Sequence, residues 1–493
     1  MTQQAAEQPT AALDPLRWRA LAVCVTALFM TLLDVSIVNV ALPSIGASTG
    51  ARASELQWVV SGYALAFGMV PILGGRLGDD RGRRRMLLAA VAGFVVTSAA
   101  VGLAPSVAVL IAARVLQGLA GGLVNPQVSG LVQQLFPVSE RGTAFGVIGA
   151  VVGVATASGP VVGGAVISLG GQQLGWRLTF LINVPVGIAS FALCRRWLPA
   201  TPRSRRHRRL DLPGVALLGL GVFGVLFPAV EFEADRDLRL GLLLVPAAAV
   251  LAGFVAWERG PARRAGHPLV DTALFGIRSY AAGLSLAALY FCAFTGLPLV
   301  LALFLQNGLG YSPLGSGLTA SAYAVGSAVS APLAGRLVPR LGRWLLVGAL
   351  VLFGAGGVGL LAVALTVPGS VADSRVWLYL TPPLLLAGLG GGSVITPNQA
   401  LSLAEVDVRG GSTAGGMLQT AQRIGSAVGT AVLGAAFFTS AGRIGIERGP
   451  ARSVDYGQAY ATALAVSLVF TAAALAVAVV DARRGSQLVG GAR

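Results

Sequence analysis

The sequence is poor in charged residues and contains no lysine. Charged residues make up 11% of the 493 residues, whereas soluble globular domains carry about a quarter. Hydrophobic residues make up 55%. This composition excludes a soluble globular protein and indicates a chain that crosses a membrane many times. The formal net charge of +16 comes from arginines in short polar stretches between apolar runs, so it predicts no nucleic-acid partner.

Cysteine and histidine are also scarce. Cys24, Cys194 and Cys292 lie in or beside apolar runs, which argues against a disulfide framework and favours packing roles. His207 and His267 are isolated in polar segments, and no metal-ligand spacing is present. No nucleophile and base pair is evident either. We therefore expect no metal, no cofactor and no enzymatic activity.

Apolar runs long enough to cross a bilayer occur fourteen times, since a span needs roughly 20 mainly apolar residues. Their predicted limits are 19–41, 56–75, 86–104, 107–129, 143–168, 178–198, 212–230, 240–257, 280–305, 315–337, 344–366, 377–400, 412–438 and 458–480. With both termini in the cytoplasm, inner segments hold about 26 arginines and outer segments about 8. We therefore predict an all-α, multi-pass protein of the plasma membrane with cytoplasmic termini.

Several short motifs recur at an offset of 260 residues. Tyr63, GRL at 75–77 and Gly82-Arg83 return as Tyr323, GRL at 335–337 and Gly342-Arg343. Such a repeat predicts two related halves. The expected organisation is a tail at 1–16, a six-helix bundle at 17–200, a linker with two extra helices at 201–277, a second six-helix bundle at 278–480 and a tail at 481–493.

One carboxylate, Asp34, lies inside the first apolar run, and one arginine, Arg114, lies inside the fourth. A charge at the centre of a spanning helix costs roughly 3 kcal/mol, so such residues usually face the bundle interior and mark an ion pathway. At about 1.5 Å per residue, the two lie at similar depths. We predict that Asp34 is a proton-coupling site and Arg114 its partner. Two unrelated polar residues with structural roles are the alternative.

The loop GRLGDDRGRRRML at 75–87 resembles the signature loop of the major facilitator superfamily. The matching residues are Gly75, Asp79, Gly82, Arg83 and Arg84. Asp80 departs from the family pattern, which has a basic residue there, although Arg81 follows. The resemblance implies that this loop forms a cytoplasmic latch between the two halves, in which Asp79 faces the positive start of the helix that begins at 410–413. The candidate latch residues are Gly75, Asp79, Arg81, Gly82, Arg83 and Arg84.

Two spanning segments carry further signatures. LIAARVLQGLAGG at 110–122 is similar to the second superfamily signature, with Arg114, Gln117 and Gly118 matching. GAVVGVATASGPVVGG at 149–164 resembles the signature of proton-coupled exporters, and its matching residues are Gly149, Gly153, Gly159, Pro160, Gly163 and Gly164. The glycines permit close helix approach, and the proline permits bending.

Stretches at 32–43, 176–187 and 303–318 resemble the fourteen-span drug:proton antiporter family (EmrB/QacA-type multidrug efflux transporters), so the resemblance covers nearly the whole chain. It implies a monomer in the lipid bilayer that exports small hydrophobic or amphipathic compounds by alternating access, driven by protons and without a cofactor. Tyr323, Gln419 and Arg423 are candidate residues of the second half.

Other functions are left open by the residues. An uptake transporter for a metabolite is one alternative, although few polar residues are available to line its cavity. A membrane sensor is another, although no soluble domain is present to carry that role. Members of the resembling family that take multivalent cations carry several membrane carboxylates, whereas the spans here hold one deep acid and two arginines. The resemblance therefore favours neutral, anionic or singly charged compounds over dications.

Overall fold

The computed structural model describes residues 16–199, 211–235, 242–260, 269–270, 272–368, 373–443 and 451–490. Seventeen α-helices form almost all of these ranges. They are α1 (Arg17–Thr49), α2 (Ala53–Met69), α3 (Pro71–Arg81), α4 (Arg83–Gly102), α5 (Val107–Gly122), α6 (Val124–Leu135), α7 (Val138–Leu181), α8 (Asn183–Trp197), α9 (Leu212–Asp235), α10 (Leu244–Arg259), α11 (Arg278–Phe294), α12 (Leu297–Leu303), α13 (Pro313–Leu341), α14 (Trp344–Thr366), α15 (Val376–Ser402), α16 (Gly411–Arg443) and α17 (Ala451–Gly490).

Every predicted span overlaps a helix, and the all-α architecture is confirmed. Within the described ranges, however, only nine spans are both long and apolar enough to cross a membrane, or ten if one bent pair counts as a span. α13 and α16 are not among the nine, and both contain many glycine and serine residues, which lower the mean hydropathy of a helix. By length and hydropathy alone, the described helices thus account for fewer crossings than the fourteen predicted.

Some predicted spans are broken rather than continuous. α2 and α3 meet at a 46° bend, and the first residue of α3 is Pro71, which has no N–H to bond to the preceding turn. The ninth predicted span is divided into α11, α12 and a π-helical turn at Phe304–Gly308. The predicted loop between spans 5 and 6 is a kink at Gly171, whose φ of 69° suits glycine. The predicted tail after 480 continues as α17 through Gly490.

The helices pack as two groups, α1–α8 and α11–α17. The groups meet where α7 packs on α13 and α15, and where α16 packs on α3 and α6. Backbone lies against backbone at both joints: a Cβ added to Gly142 would lie 2.5 Å from the carbonyl oxygen of Gly335, and one added to Gly75 would overlap the backbone of Ser412. α9 and α10 pack on each other, and α9 also contacts α2 and α16.

The internal repeat extends to equivalent contacts in the two groups. Gly118 packs against the backbone of Tyr63, and Gly388 packs against the backbone of Tyr323 in the same way. The loop glycine Gly82 and its counterpart at position 342 both adopt positive φ, at 99° and 52°. Tight helix pairing through glycine is therefore a shared feature of both groups.

Candidate functional site

Asp34 projects from α1 into the interior of the first group of helices, and its side chain is 1% exposed. Three side chains donate hydrogen bonds to its carboxylate. Arg114 Nη1 lies 2.6 Å from Oδ2, Asn183 Nδ2 lies 2.8 Å from Oδ1, and Gln117 Nε2 lies 3.1 Å from Oδ1. All three contacts are donors, so both carboxylate oxygens of Asp34 serve as acceptors.

Arg114 is also fully buried and has partners besides Asp34. Its Nε donates to the carbonyl oxygen of Val59 at 3.1 Å, and its Nη1 donates to Gln117 Oε1 at 2.7 Å. The guanidinium carbon lies 4.2 Å from the centroid of the Tyr63 ring, a favourable cation–π distance. These contacts keep Arg114 in place independently of the charge on Asp34.

The pair forms a charge-neutral unit that a proton would disrupt. An opposite charge within about 4 Å favours the ionised acid, while burial favours the neutral acid. When Asp34 binds a proton, its attraction to Arg114 is lost and one carboxylate acceptor becomes a donor. Because the partners of Asp34 come from α5 and α8, the contacts among α1, α5 and α8 depend on the charge of this carboxyl group.

Sequence reasoning missed Asn183 and Ser98. Asn183 is the first residue of α8, and Ser98 Oγ accepts a hydrogen bond from Gln117 Nε2 at 2.8 Å. The available signal for Asn183 was an amide within the apolar stretch FLINVPVGI at 180–188. The contact of Asn183 with Asp34 could not be predicted from the sequence, because α8 and α1 become neighbours only in the fold.

Part of the glycine signature in α7 faces Asp34's helix. A Cβ on Gly159 would overlap the side chain of Ser36, and one on Gly163 would lie 3.4 Å from Ile37 Cγ2. α7 thus packs closely on α1 directly after Asp34. A Cβ on Gly164 would meet nothing within 4 Å. The side chain of Pro160 lies outside the described part of the chain.

The rest of this signature faces the second group of helices. A Cβ on Gly149 would lie 2.6 Å from Thr396 Oγ1, and one on Gly153 would lie 3.6 Å from the Ala328 Cβ. α7 therefore contacts α1, the helix of Asp34, along one segment and the second group along another.

Asp79 joins α3 to the start of α16. Its carboxylate accepts hydrogen bonds from the backbone N–H of Ser412 at 3.1 Å and from the N–H and hydroxyl of Thr413, each at 2.8 Å. Arg83 Nη2 donates to the same carboxylate at 2.9 Å and also bonds the carbonyl oxygen of Val408. We call Asp79, Arg83, Ser412 and Thr413 the latch. A carboxylate at a helix start is stabilised by the helix dipole.

The other loop residues surround the latch. Arg81 is exposed at the end of α3, and Arg84 donates to the carbonyl oxygen of Arg195. Asp80, which departs from the family pattern, forms an ion pair with Arg76 at 3.1 Å. The charge of Asp80 is therefore balanced by an arginine of the same helix, while Asp79 contacts the start of α16.

The candidate residues of the second half do not form one cluster with Asp34. The Tyr323 hydroxyl lies 3.2 Å from the Tyr290 hydroxyl. Gln419 is 4% exposed. Arg423 lies over the ring of Phe67 in α2, with the guanidinium carbon 4.7 Å from the centroid.

Comparison with known proteins identifies this architecture. The sequence matches the profile of the Major Facilitator Superfamily over residues 24–430 and again over 283–489. The chain belongs to the Major Facilitator Superfamily. It is 39% identical over 424 residues to the probable actinorhodin transporter of Streptomyces coelicolor, covering 86% of this chain and 72% of that protein. It is 34% identical over 436 residues to the tetracenomycin C resistance and export protein of Streptomyces glaucescens, covering 87% and 77%.

The fold agrees with a solved structure of the superfamily. The human organic anion transporter MFSD10 aligns with a TM-score of 0.65 and 17% identity, covering 93% of this chain and all of that one. A likeness at this identity shows the fold alone. As a Major Facilitator Superfamily member, the chain is a multi-pass transporter of small molecules in the plasma membrane and not an enzyme.

The two halves of this superfamily member differ in the buried charges near their equivalent tyrosines, Tyr63 and Tyr323. Tyr63 in the first half faces the Arg114 guanidinium, whereas its counterpart Tyr323 is paired with Tyr290 and stacked on Phe294 at 5.2 Å. Within the described part of the second half, no carboxylate occupies the place that Asp34 has beside Arg114. The buried acid–cation pair is thus a feature of one half.

We expect Asp79→Asn to slow transport and leave substrate binding largely intact. The substitution removes the negative charge at the α16 start, which is worth about 0.3–1 kcal/mol when exposed and up to about 2 kcal/mol when partly buried. The measurement compares transport rates with equilibrium binding of the same substrate. Arg81→Gln is the matched control, because it changes a charge in the same loop outside the latch. An unchanged rate, or a loss of binding, would contradict the role of the latch.

Proposed function

We propose that this chain is a proton-coupled antiporter of the fourteen-span drug:proton type that exports small hydrophobic or amphipathic compounds from the cytoplasm. The names of two similar proteins support export of antibiotics: one is a probable actinorhodin transporter and the other a tetracenomycin C resistance and export protein. Drugs, antibiotics or a compound that the cell makes itself are the substrate class.

The observation that carries proton coupling is the environment of Asp34. It is a buried acid in the middle part of α1, far from either end of that helix, and it is bonded to Arg114, Gln117 and Asn183. A proton that arrives from outside neutralises Asp34, weakens its hold on Arg114 and favours one state of the transporter. Release of the proton to the cytoplasm restores the ion pair. Substrate moves in the opposite direction during the same cycle.

The proposed membrane arrangement has fourteen spans and cytoplasmic termini. It is supported by the overlap of each predicted span with a helix and by the arginine bias of about 26 inner to 8 outer residues. In this orientation the latch is cytoplasmic. The halves 17–200 and 278–480 rock as a monomer, and α9 and α10 form the extra pair of spans.

Alternating access follows from breaking the latch. With Asp79 bound to the α16 start, the cytoplasmic ends of the halves are held together, and the substrate exchanges with the outside. Loss of these bonds opens the cytoplasmic side. A barrier of only a few hydrogen bonds suits a transporter that must open and close in every cycle.

Everted membrane vesicles test the proposal. With a proton gradient established and a pH-sensitive dye inside, addition of an exported compound should release protons from the vesicles, and the compound should accumulate inside. Vesicles without the transporter are the control. Accumulation that persists after a protonophore collapses the gradient would contradict proton coupling, and export in the absence of any pH change would contradict antiport.

The same vesicles test orientation. Ser54 and Ser139 are both exposed, and they lie on opposite sides of the proposed membrane. In a background without the native cysteines, an impermeant thiol reagent should label Ser139→Cys in everted vesicles and Ser54→Cys in intact cells. The reverse pattern would invert the topology.

A further inference from the structure

Arg423 is an interior arginine without an anionic partner. In the part of the chain that the structure describes, its guanidinium makes no hydrogen bond and no ion pair, and its contact is the Phe67 ring at 4.7 Å. A guanidinium carries five N–H donors. Arg114, by contrast, has a carboxylate, an amide and a carbonyl oxygen as acceptors. An unpaired cation inside a membrane protein is costly and marks a functional site by default.

The position of Arg423 makes it reachable. Residues 411–420 of α16 are all buried, between the first group of helices and α11, whereas 421–424 are all partly exposed. Arg423 is therefore the first charged residue beyond the sealed segment. At about 1.5 Å per residue it lies roughly 15 Å from the latch, near the middle of a hydrocarbon core about 30 Å thick.

Gln419 supplies an independent observation on the same face of α16. It precedes Arg423 by one helical turn, so the two side chains lie side by side. It is 4% exposed, and its Oε1 has no hydrogen-bond partner. A buried polar atom without a partner costs about 1–3 kcal/mol. Gln419 lies at the edge of the buried segment, next to Arg423. Its unpaired oxygen is an acceptor, so it suits a hydroxyl or N–H group of a ligand whose anionic group is bound by the guanidinium.

We propose that Arg423 and Gln419 form the recognition site for an apolar organic monoanion, such as a carboxylate or an ionised phenol. The assignment rests on the proposed export function and names the substrate class of that function. The interior charges support it: Asp34 and Arg114 neutralise each other, which leaves Arg423 as one uncompensated positive charge. A monoanion balances that charge, while a cation or a dication would be repelled.

The geometry also sets how the anion binds. The guanidinium carbon lies over the Phe67 ring at 4.7 Å, and its N–H groups make no hydrogen bond to the described residues, so they are available for a two-pronged contact with a carboxylate. Phe67 stacks on Tyr63 at 5.8 Å, and Tyr63 lies under Arg114. The anion site is thus separated from the proton site by two aromatic rings, and both ends of this stack hold an arginine.

Equilibrium binding to the purified full-length protein tests the assignment. The probes are 9-anthracenecarboxylate and 9-anthracenecarboxamide, which share one ring system and differ in charge. Wild type should bind the carboxylate at least about tenfold more tightly, equivalent to about 1.4 kcal/mol. Arg423→Gln should remove this preference by weakening carboxylate binding alone, and Arg423→Lys should retain part of it. Arg409→Gln, which removes an exposed arginine outside the site, should leave both affinities unchanged.

Two results would overturn the anion site. Wild type that binds the two probes equally, or binds neither, lacks the preference. An Arg423→Gln protein that loses affinity for both probes to the same extent has lost structure rather than anion recognition. Transport separates this inference from the export function: selective carboxylate binding without transport would refute export alone, and export of neutral compounds without anion preference would refute the anion site alone.

Discussion

Replacing Asp34 with asparagine should abolish export against a gradient while leaving the binding of an uncharged compound largely intact. Asparagine keeps the shape of the side chain and one oxygen acceptor, but it does not titrate. The proton gradient then has no group through which to drive the cycle. Accumulation in everted vesicles and equilibrium binding of the same neutral compound are the two measurements. Asp34→Glu retains the carboxyl group, so it should retain part of the activity.

A matched control for this variant is Asp455→Asn, which neutralises an acid at the start of α17, away from the described interior site. It should transport like wild type. An Asp34→Asn protein that still builds a substrate gradient from a proton gradient would leave Asp34 with a structural role. A protein that no longer binds the neutral compound would point to misfolding, and the Asp34→Glu variant then decides whether a carboxyl group is required.

The second large effect concerns stability. Arg114→Gln should destabilise the protein by about 3–5 kcal/mol, because it leaves the buried Asp34 carboxylate without its cation. The double variant Asp34→Asn/Arg114→Gln should recover part of this loss, since neither charge remains. Thermal unfolding of the detergent-purified protein measures all three variants, and the double-mutant cycle gives the coupling between the two side chains.

Arg177→Gln is the control for this cycle. Arg177 is also partly buried, but it donates to the carbonyl oxygens of Gly102 and Ala104 and pairs with no described carboxylate. Its loss should therefore show no rescue by Asp34→Asn. Additive effects of Asp34→Asn and Arg114→Gln would mean that the 2.6 Å contact contributes nothing specific.

The contact between Asp34 and Arg114 could be predicted from the sequence because the rise per residue along a helix is constant. Counting residues from the ends of two spans gives their depths, and two opposite charges at one depth in apolar helices have few other partners. The approach of Asp79 to the α16 start followed from a similar local rule, since the positive end of a helix attracts an acid.

The remaining features depend on which helices become neighbours. Asn183 reaches Asp34 only because α8 packs on α1, and Arg423 reaches Phe67 only because α16 packs across the two groups of helices. Nothing in the local sequence distinguishes Arg114, which has a carboxylate, from Arg423, which has none. The predicted number of crossings is not confirmed by length and hydropathy, because α13 and α16 are rich in small residues and are not among the nine helices of the described ranges that meet both criteria.

The joints between the halves, where Gly142 meets Gly335 and Gly75 meets Ser412, bring main chain against main chain. At these two points glycine has no side chain to interlock, so the backbones can separate there without a rotamer change at the glycine. The hydrogen bonds of Asp79 to the start of α16 are directional and break within a small displacement, so they add resistance to opening that is lost early. The glycine contacts thus allow the two halves to separate, and the latch at the start of α16 holds them together. A methyl group added at Gly142 or Gly75 would overlap the facing backbone and hold the two halves apart.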